Sequence, residues 1–142
     1  MKSIENLQGE YKSLDAKFNN VAKGHVDSSL IIVFDYEYSQ SESEVIIETD
    51  EFTAVCPWTE LPDFGTLTIK YIPEKYCLEL KSLKYYLLTY TGVGVVQEHA
   101  ANQILNDLTK ACNPKSMSIT LDYKIRGGLH TSVTVAYDSS NN

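Results

Sequence analysis

Hydrophobic positions recur at steps of three and four over residues 4–21, where Ile4, Leu7, Tyr11, Leu14, Phe18 and Val21 fall on one stripe of a helix. Gly9 weakens that helix by about 1 kcal/mol relative to alanine. The spacing predicts a helix docked on its own domain, although three heptads also suit a seam against a partner chain. The period then shortens to two. SLIIVFDYEY (29–38) and EVIIETDEF (44–52) are β-branched and aromatic, and the polar SQSESE (39–44) between them predicts an exposed connection or hairpin loop. FGTLTIKYI (64–72) puts Leu67, Ile69 and Tyr71 on one face and Thr66, Thr68 and Lys70 on the other, as a half-buried strand does; Pro73 ends it.

Two helical segments follow. In LELKSLKYYLLTY (78–90), Leu80, Leu83, Leu87 and Tyr90 share a stripe, while Lys81 and Lys84 lie three apart on another face. The glycines of TGVGVV separate this helix from EHAANQILNDLTKAC (98–112), which Asn113-Pro114 stops. MSITLDYKI and LHTSVTVAY alternate on either side of Arg126-Gly127-Gly128, predicting a hairpin. The order of helix, strands, two helices and hairpin predicts an α+β fold: an antiparallel sheet with helices on one face. Its 142 residues suit one domain, with residues 1–25 as a helical extension and 138–142 as a frayed tail.

Composition narrows the function more than the fold. The net charge of −7 disfavours broad binding to nucleic acid, which needs clustered Lys and Arg, yet leaves room for an anionic small molecule held by two or three local cations. No apolar run approaches the ~20 residues that span a bilayer. The polar start MKSIENLQGEYK does not read as a secretory signal, so a cytoplasmic location is expected. Cys56, Cys77 and Cys112 form no CxxC pair, which indicates neither a disulfide framework nor a zinc site, and the three histidines lack metal-ligand spacing.

Candidate chemistry centres on FTAVCPWTELPDFG (52–65). Cys56 is either a nucleophile or a small side chain beside a turn. A thiol with an unperturbed pKa near 8.5 needs help to react. Asp63, seven positions on, suits managing a proton better than creating a thiolate. Lys81 and Lys84 are either a solvated basic edge or a phosphate site. Arg126 before two glycines suits a turn or a phosphate, and Glu98 opens a helix where an anion is favoured. There is neither a GxGxxG fingerprint nor a P-loop.

Taken in order, FTAVCPWTELPDFGTLTIKYIPE, ELKSLKYY, EHAANQILNDL and NPKSMSITLDYKIRGG resemble the QueF family, the NADPH-dependent 7-cyano-7-deazaguanine reductases of queuosine biosynthesis. The resemblance covers about residues 52–137. It implies a tunnelling fold in which ββααββ units, here a four-stranded sheet with two helices on one face plus an N-terminal helix, associate as a homo-oligomer with active sites between subunits. It implies reduction of a nitrile with two NADPH. Cys56 would add to the nitrile carbon as a thioimide and Asp63 would supply the proton. Glu98 and its neighbour Gln97, with Leu78, Glu79 and Leu80, would bind the small-molecule substrate, and Lys81, Ser82, Lys84 and Arg126 would meet the cofactor's phosphates. Gln97 stands where the family usually has histidine, and Glu60 where glycine is common. Two alternatives accompany this reading. One is a QueF-like amidinotransferase acting on tRNA, which the retained ELKSLK and the acidic charge disfavour. The other is a non-catalytic purine-binding tunnelling-fold protein, which the retained Cys56 and Asp63 disfavour.

Overall fold

The structure is a computed structural model and describes residues 3–20 and 24–141; Val21 of the predicted stripe lies outside them. The chain runs through α1 (Leu7–Asn19), β1 (Val33–Asp35), β2 (Val45–Val55), β3 (Pro62–Ile72), β4 (Tyr76–Leu78), α2 (Leu80–Leu88), α3 (Gln97–Cys112), β5 (Ser116–Tyr123) and β6 (Ser132–Asp138). Strands β2-β3-β5-β6 form an antiparallel sheet in that order. Alternation sets its faces: the pairs Leu67–Leu121, Ile69–Ile119 and Tyr71–Met117 are buried together. They pack against Ala101, Ile104, Leu105 and Leu108, an apolar stripe of α3.

The register of β2 against β3 slips between Thr49 and Phe52, so that two residues, Asp50 and Glu51, oppose one. That bulge returns Phe52 to the core face, where it is buried against Tyr90 and Tyr123. The hairpin turn at the other edge is tight. Gly127 and Gly128 both take positive φ, and Arg126 and Leu129 exchange two backbone hydrogen bonds at 3.0 Å.

Of the two expectations for residues 39–44, the exposed connection holds and the hairpin loop does not, since β1 and β2 belong to different sheets. Residues 29–38 contribute only the three-residue β1, which pairs with β4 and leaves the main sheet to begin at β2. One local and one long-range interaction divert the run. The Asp27 carboxylate accepts from the Ser29 N–H and starts a 3-10 turn at Ser28–Leu30, and the Ile32 N–H donates to the Ser82 hydroxyl of α2 at 2.9 Å. The C-terminal residues 139–141 also form a 3-10 turn, tied by the Ser139 N–H to the Lys115 carbonyl, where a frayed tail was expected.

Helix α1 docks on α2 of its own chain. Leu7 and Leu14 are buried, Phe18 stacks on Tyr85, and Tyr11 donates to Glu79 at 2.9 Å. Ile4, at the start of the predicted stripe, stays exposed. Helix α2 starts where the Glu79 carboxylate accepts from the Lys81 and Ser82 N–H groups, and α3 ends at Asn113 in the left-handed region. Among the described residues, no helix is long and apolar enough to cross a membrane.

Candidate active site

Cys56 opens the connection from β2 to β3. Its N–H donates to the Leu61 carbonyl and its carbonyl accepts from the Glu60 N–H, both at 2.9 Å, closing a tight bend. Glu60 sits at φ +61, a conformation that costs a side-chain-bearing residue roughly 1–2 kcal/mol and that glycine adopts freely. The bend brings Asp63 back on β3, opposite Ala54. On the other side, Val55 donates to Val93 and accepts from Val95, so the start of α3 runs beside the end of β2.

These elements enclose a cleft of about 500 Å³ lined by Cys56, Asp63, Gln97, Glu98, Arg126 and Thr131, among others. The half-buried Cys56 thiol opens into it, whereas Cys77 and Cys112 are buried in the core. The Thr59 hydroxyl, followed by the backbone amides of Thr59 and Trp58, stabilises the Cys56 thiolate and lowers its pKa. Desolvation and the charge of Asp63 oppose that shift less strongly. Burial instead raises the Cys77 thiol and pushes Cys112 up to about 12. Iodoacetamide should therefore alkylate Cys56 with a midpoint below that of an ordinary thiol (about 8.5). Thr59→Val should move the midpoint upward, and an unchanged midpoint would remove Thr59 from the account.

Asp63 is almost fully buried and ion-paired to Arg126 at 3.2 Å. Arg126 also donates to the Thr131 hydroxyl at 2.8 Å and lies 4.7 Å over the Tyr123 ring. Tyr123 reaches that position because it pairs with Gly65. A Cβ on Gly65 would stand 2.6 Å from the Tyr123 ring and 2.7 Å from the Asp122 carbonyl. Glu98 is exposed at the cleft wall in the first turn of α3.

Of the residues expected at a nucleotide, Arg126 lines this cleft, whereas Lys81, Ser82 and Lys84 lie on α2 outside it. Lys84 is exposed along a second cleft of about 340 Å³ between β2 and α2, with Leu80, Leu83 and Leu87. The Lys81 ammonium sits 3.1 Å from Asp15 and 4.7 Å over the Tyr11 ring, both on α1. Three of the expected contact residues are engaged within the chain. The Ser82 hydroxyl is fully buried and bonded to the backbone of Ile32 and Glu79, which leaves it no face toward a phosphate. Arg126 is committed to Asp63 and Thr131 rather than displayed alone at the turn. Gln97 lines the cleft, but its amide is used inside the chain: it donates to the Leu121 and Thr131 carbonyls and accepts from Thr131 and Arg126. Leu78 is buried, Leu80 is exposed and Glu79 caps α2.

Residues 62–142 match the model of the family described as QueF-like protein. A protein of Chlorobaculum tepidum named NADPH-dependent 7-cyano-7-deazaguanine reductase is 45% identical over 81% of this chain and 98% of its own length. The chain belongs to the QueF-like protein family. A second member, from Thermoanaerobacter pseudethanolicus and bearing the same name, is 43% identical over 93% of this chain and 98% of its own. Among solved structures, an archaeosine synthase QueF-Like in the apo form matches with a TM-score of 0.62 at 24% identity. That match covers 66% of this chain and 92% of the other, a likeness of fold. The QueF-like match begins after Cys56, so the cleft joins a residue upstream of it to Asp63, Glu98 and Arg126 within it.

Thr59, Gly65, Tyr123 and Thr131 belong to the site and were not singled out from the sequence. Gly65 carried a readable signal, since an isolated glycine inside a strand marks a close approach of another group. Thr59 and Thr131 carried none, because each acts through a loop conformation.

Proposed function

We propose that this chain is an NADPH-dependent 7-cyano-7-deazaguanine reductase, a nitrile oxidoreductase of queuosine biosynthesis. The observation that carries the reading is a thiolate-favouring Cys56 facing the same cleft as a buried carboxyl, Asp63. The Cys56 sulfur adds to the nitrile carbon, and the hydrogen that leaves the thiol passes through Asp63 to the nitrile nitrogen, giving a thioimide with nothing else consumed. Glu98 accepts hydrogen bonds from the guanidine-like edge of the deazapurine, a pairing that disfavours bases lacking two donors there.

NADPH supplies hydride, two equivalents per nitrile. Lys84 beside the apolar Leu80, Leu83 and Leu87 fits a group that is part anionic and part flat ring. Lys81 is the second cation, and its Asp15 partner is half-exposed, so that ion pair is weak, about 0–1 kcal/mol. Asp15→Asn should therefore lower the KM for NADPH by a factor of up to about five while kcat changes little. A raised KM would instead make Asp15 part of the binding site.

In one chain Lys84 and Cys56 line different clefts, and Lys81 is paired to Asp15 on α1. That separation supports a homo-oligomer of single tunnelling-fold domains (residues 1–142), in which one copy offers its lysines to another copy's cysteine; the location in this reading is cytoplasmic. The exposed apolar side chains of Trp58, Leu61, Ile125 and Leu129 support such an assembly. The reading involves no direct nucleic acid partner.

The test is NADPH absorbance after addition of 7-cyano-7-deazaguanine to the pure protein. Oxidation of two NADPH per nitrile, lost in Cys56→Ala, is the expected result. A covalent adduct without NADPH oxidation points to the amidinotransferase. Ligand binding that survives Cys56→Ala, with no adduct, leaves a binding protein.

A further inference from the structure

Gln97 is buried at the first position of α3 and has spent its hydrogen-bonding capacity. An amide has two N–H donors and two carbonyl lone pairs. The Nε2 donates to the carbonyls of Leu121 on β5, at 2.9 Å, and of Thr131 beside β6, at 3.0 Å. The Oε1 accepts from the Thr131 hydroxyl at 2.6 Å and from Arg126 Nη2 at 3.4 Å. Two backbone carbonyls at the nitrogen fix the orientation of the amide, since a flipped amide would set oxygen against oxygen. A ligand entering the cleft finds no free donor or acceptor on this side chain.

All four bonds end on the β5–β6 hairpin, and two reach Arg126 directly or through Thr131. The guanidinium is thereby held on four sides, by Gln97, Thr131, the Tyr123 ring and Asp63. We propose that Gln97 is a positioning residue that holds the Arg126 guanidinium on Asp63, so that a fixed cation offsets the carboxylate beside the Cys56 thiol. Its importance for turnover rests on the proposed nitrile chemistry; the electrostatic arrangement does not. Asp63 by itself disfavours the Cys56 thiolate. The other charged or titratable groups around the thiol are Glu60 in its own bend and Glu98 and His99 on α3. Arg126 is the cation fixed on Asp63 beside these carboxylates.

The inference is tested by the pH midpoint of Cys56 alkylation by iodoacetamide, followed by mass in the intact protein without nitrile or nucleotide. Gln97→Met keeps the volume and removes all four bonds. Arg126→Ala removes the cation, and Thr131→Val, at an exposed position, removes the hydroxyl that links them. Gln97→Met and Arg126→Ala should each raise the midpoint by about one unit, as loss of a neighbouring opposite charge does. The double variant should rise no further than either single one, because the two act as a unit. Thr131→Val should rise less, in the same direction, and serves as the reading if Gln97→Met does not fold. A rise in Arg126→Ala with wild-type midpoints in both Gln97→Met and Thr131→Val overturns the positioning role. An unchanged midpoint in Arg126→Ala overturns the offset itself. These shifts in a protein that makes no nitrile adduct would retain the positioning role and sink the reductase reading.

Discussion

Asp63→Asn is expected to slow formation of the thioimide by about 10²–10⁴-fold, the range lost when a positioned proton donor is removed. Asparagine retains the size of the side chain and an oxygen that can accept from Arg126, now 3.2 Å from the carboxylate. The bend between β2 and β3 should therefore survive, with a thermal midpoint within a few degrees of wild type. A general disturbance and a lost proton can be separated at Cys56. The charge of Asp63 disfavours the Cys56 thiolate, so removing it should make alkylation by iodoacetamide easier at a given pH. Nitrile addition should fall while alkylation rises. Stopped-flow measurement of adduct formation, with alkylation in parallel, checks both. Nitrile addition at the wild-type rate would take the proton transfer away from Asp63.

Gly65→Ala should act through packing, with its main effect on stability. The new Cβ would lie under 3 Å from both the Tyr123 ring and the Asp122 carbonyl, and the carbonyl belongs to the backbone of the adjoining strand. Forcing that contact costs about 1–3 kcal/mol, or roughly 3–10 °C in thermal midpoint. The displaced Tyr123 ring is also the floor beneath Arg126, so the Asp63 pair should loosen along with the sheet. Differential scanning calorimetry and the Cys56 alkylation midpoint read the two effects. A stable variant with an unchanged midpoint would mean that Tyr123 does not set the position of Arg126.

Those two expectations come from different depths of the chain. The strand FGTLTIKYI and the helix EHAANQILNDLTKAC were legible because period two and period 3.6 map directly onto burial: Leu67, Ile69 and Tyr71 face inward with Ile104 and Leu108. The run SLIIVFDYEY was misleading for the opposite reason. It carries strong β propensity, but the Asp27 side chain and the Ser82 hydroxyl, fifty residues away, decide its path. Cys56 and Asp63 were legible from motif, and their seven-residue separation becomes a bend and a strand pairing. The company of Asp63 was not. Arg126 reads from sequence as either a turn residue or a phosphate contact, and only the hairpin register and the buried Gln97 amide turn it inward. Ser82 shows the same limit: a hydroxyl between two lysines can face solvent or the helix behind it, and here it faces inward.

The most direct test is top-down mass spectrometry of the protein after incubation with 7-cyano-7-deazaguanine in the absence of NADPH. A single adduct with the full mass of the nitrile, located on Cys56 and absent from Cys56→Ala, is the predicted result. An unmodified protein, or an adduct on Cys77 or Cys112, would contradict it.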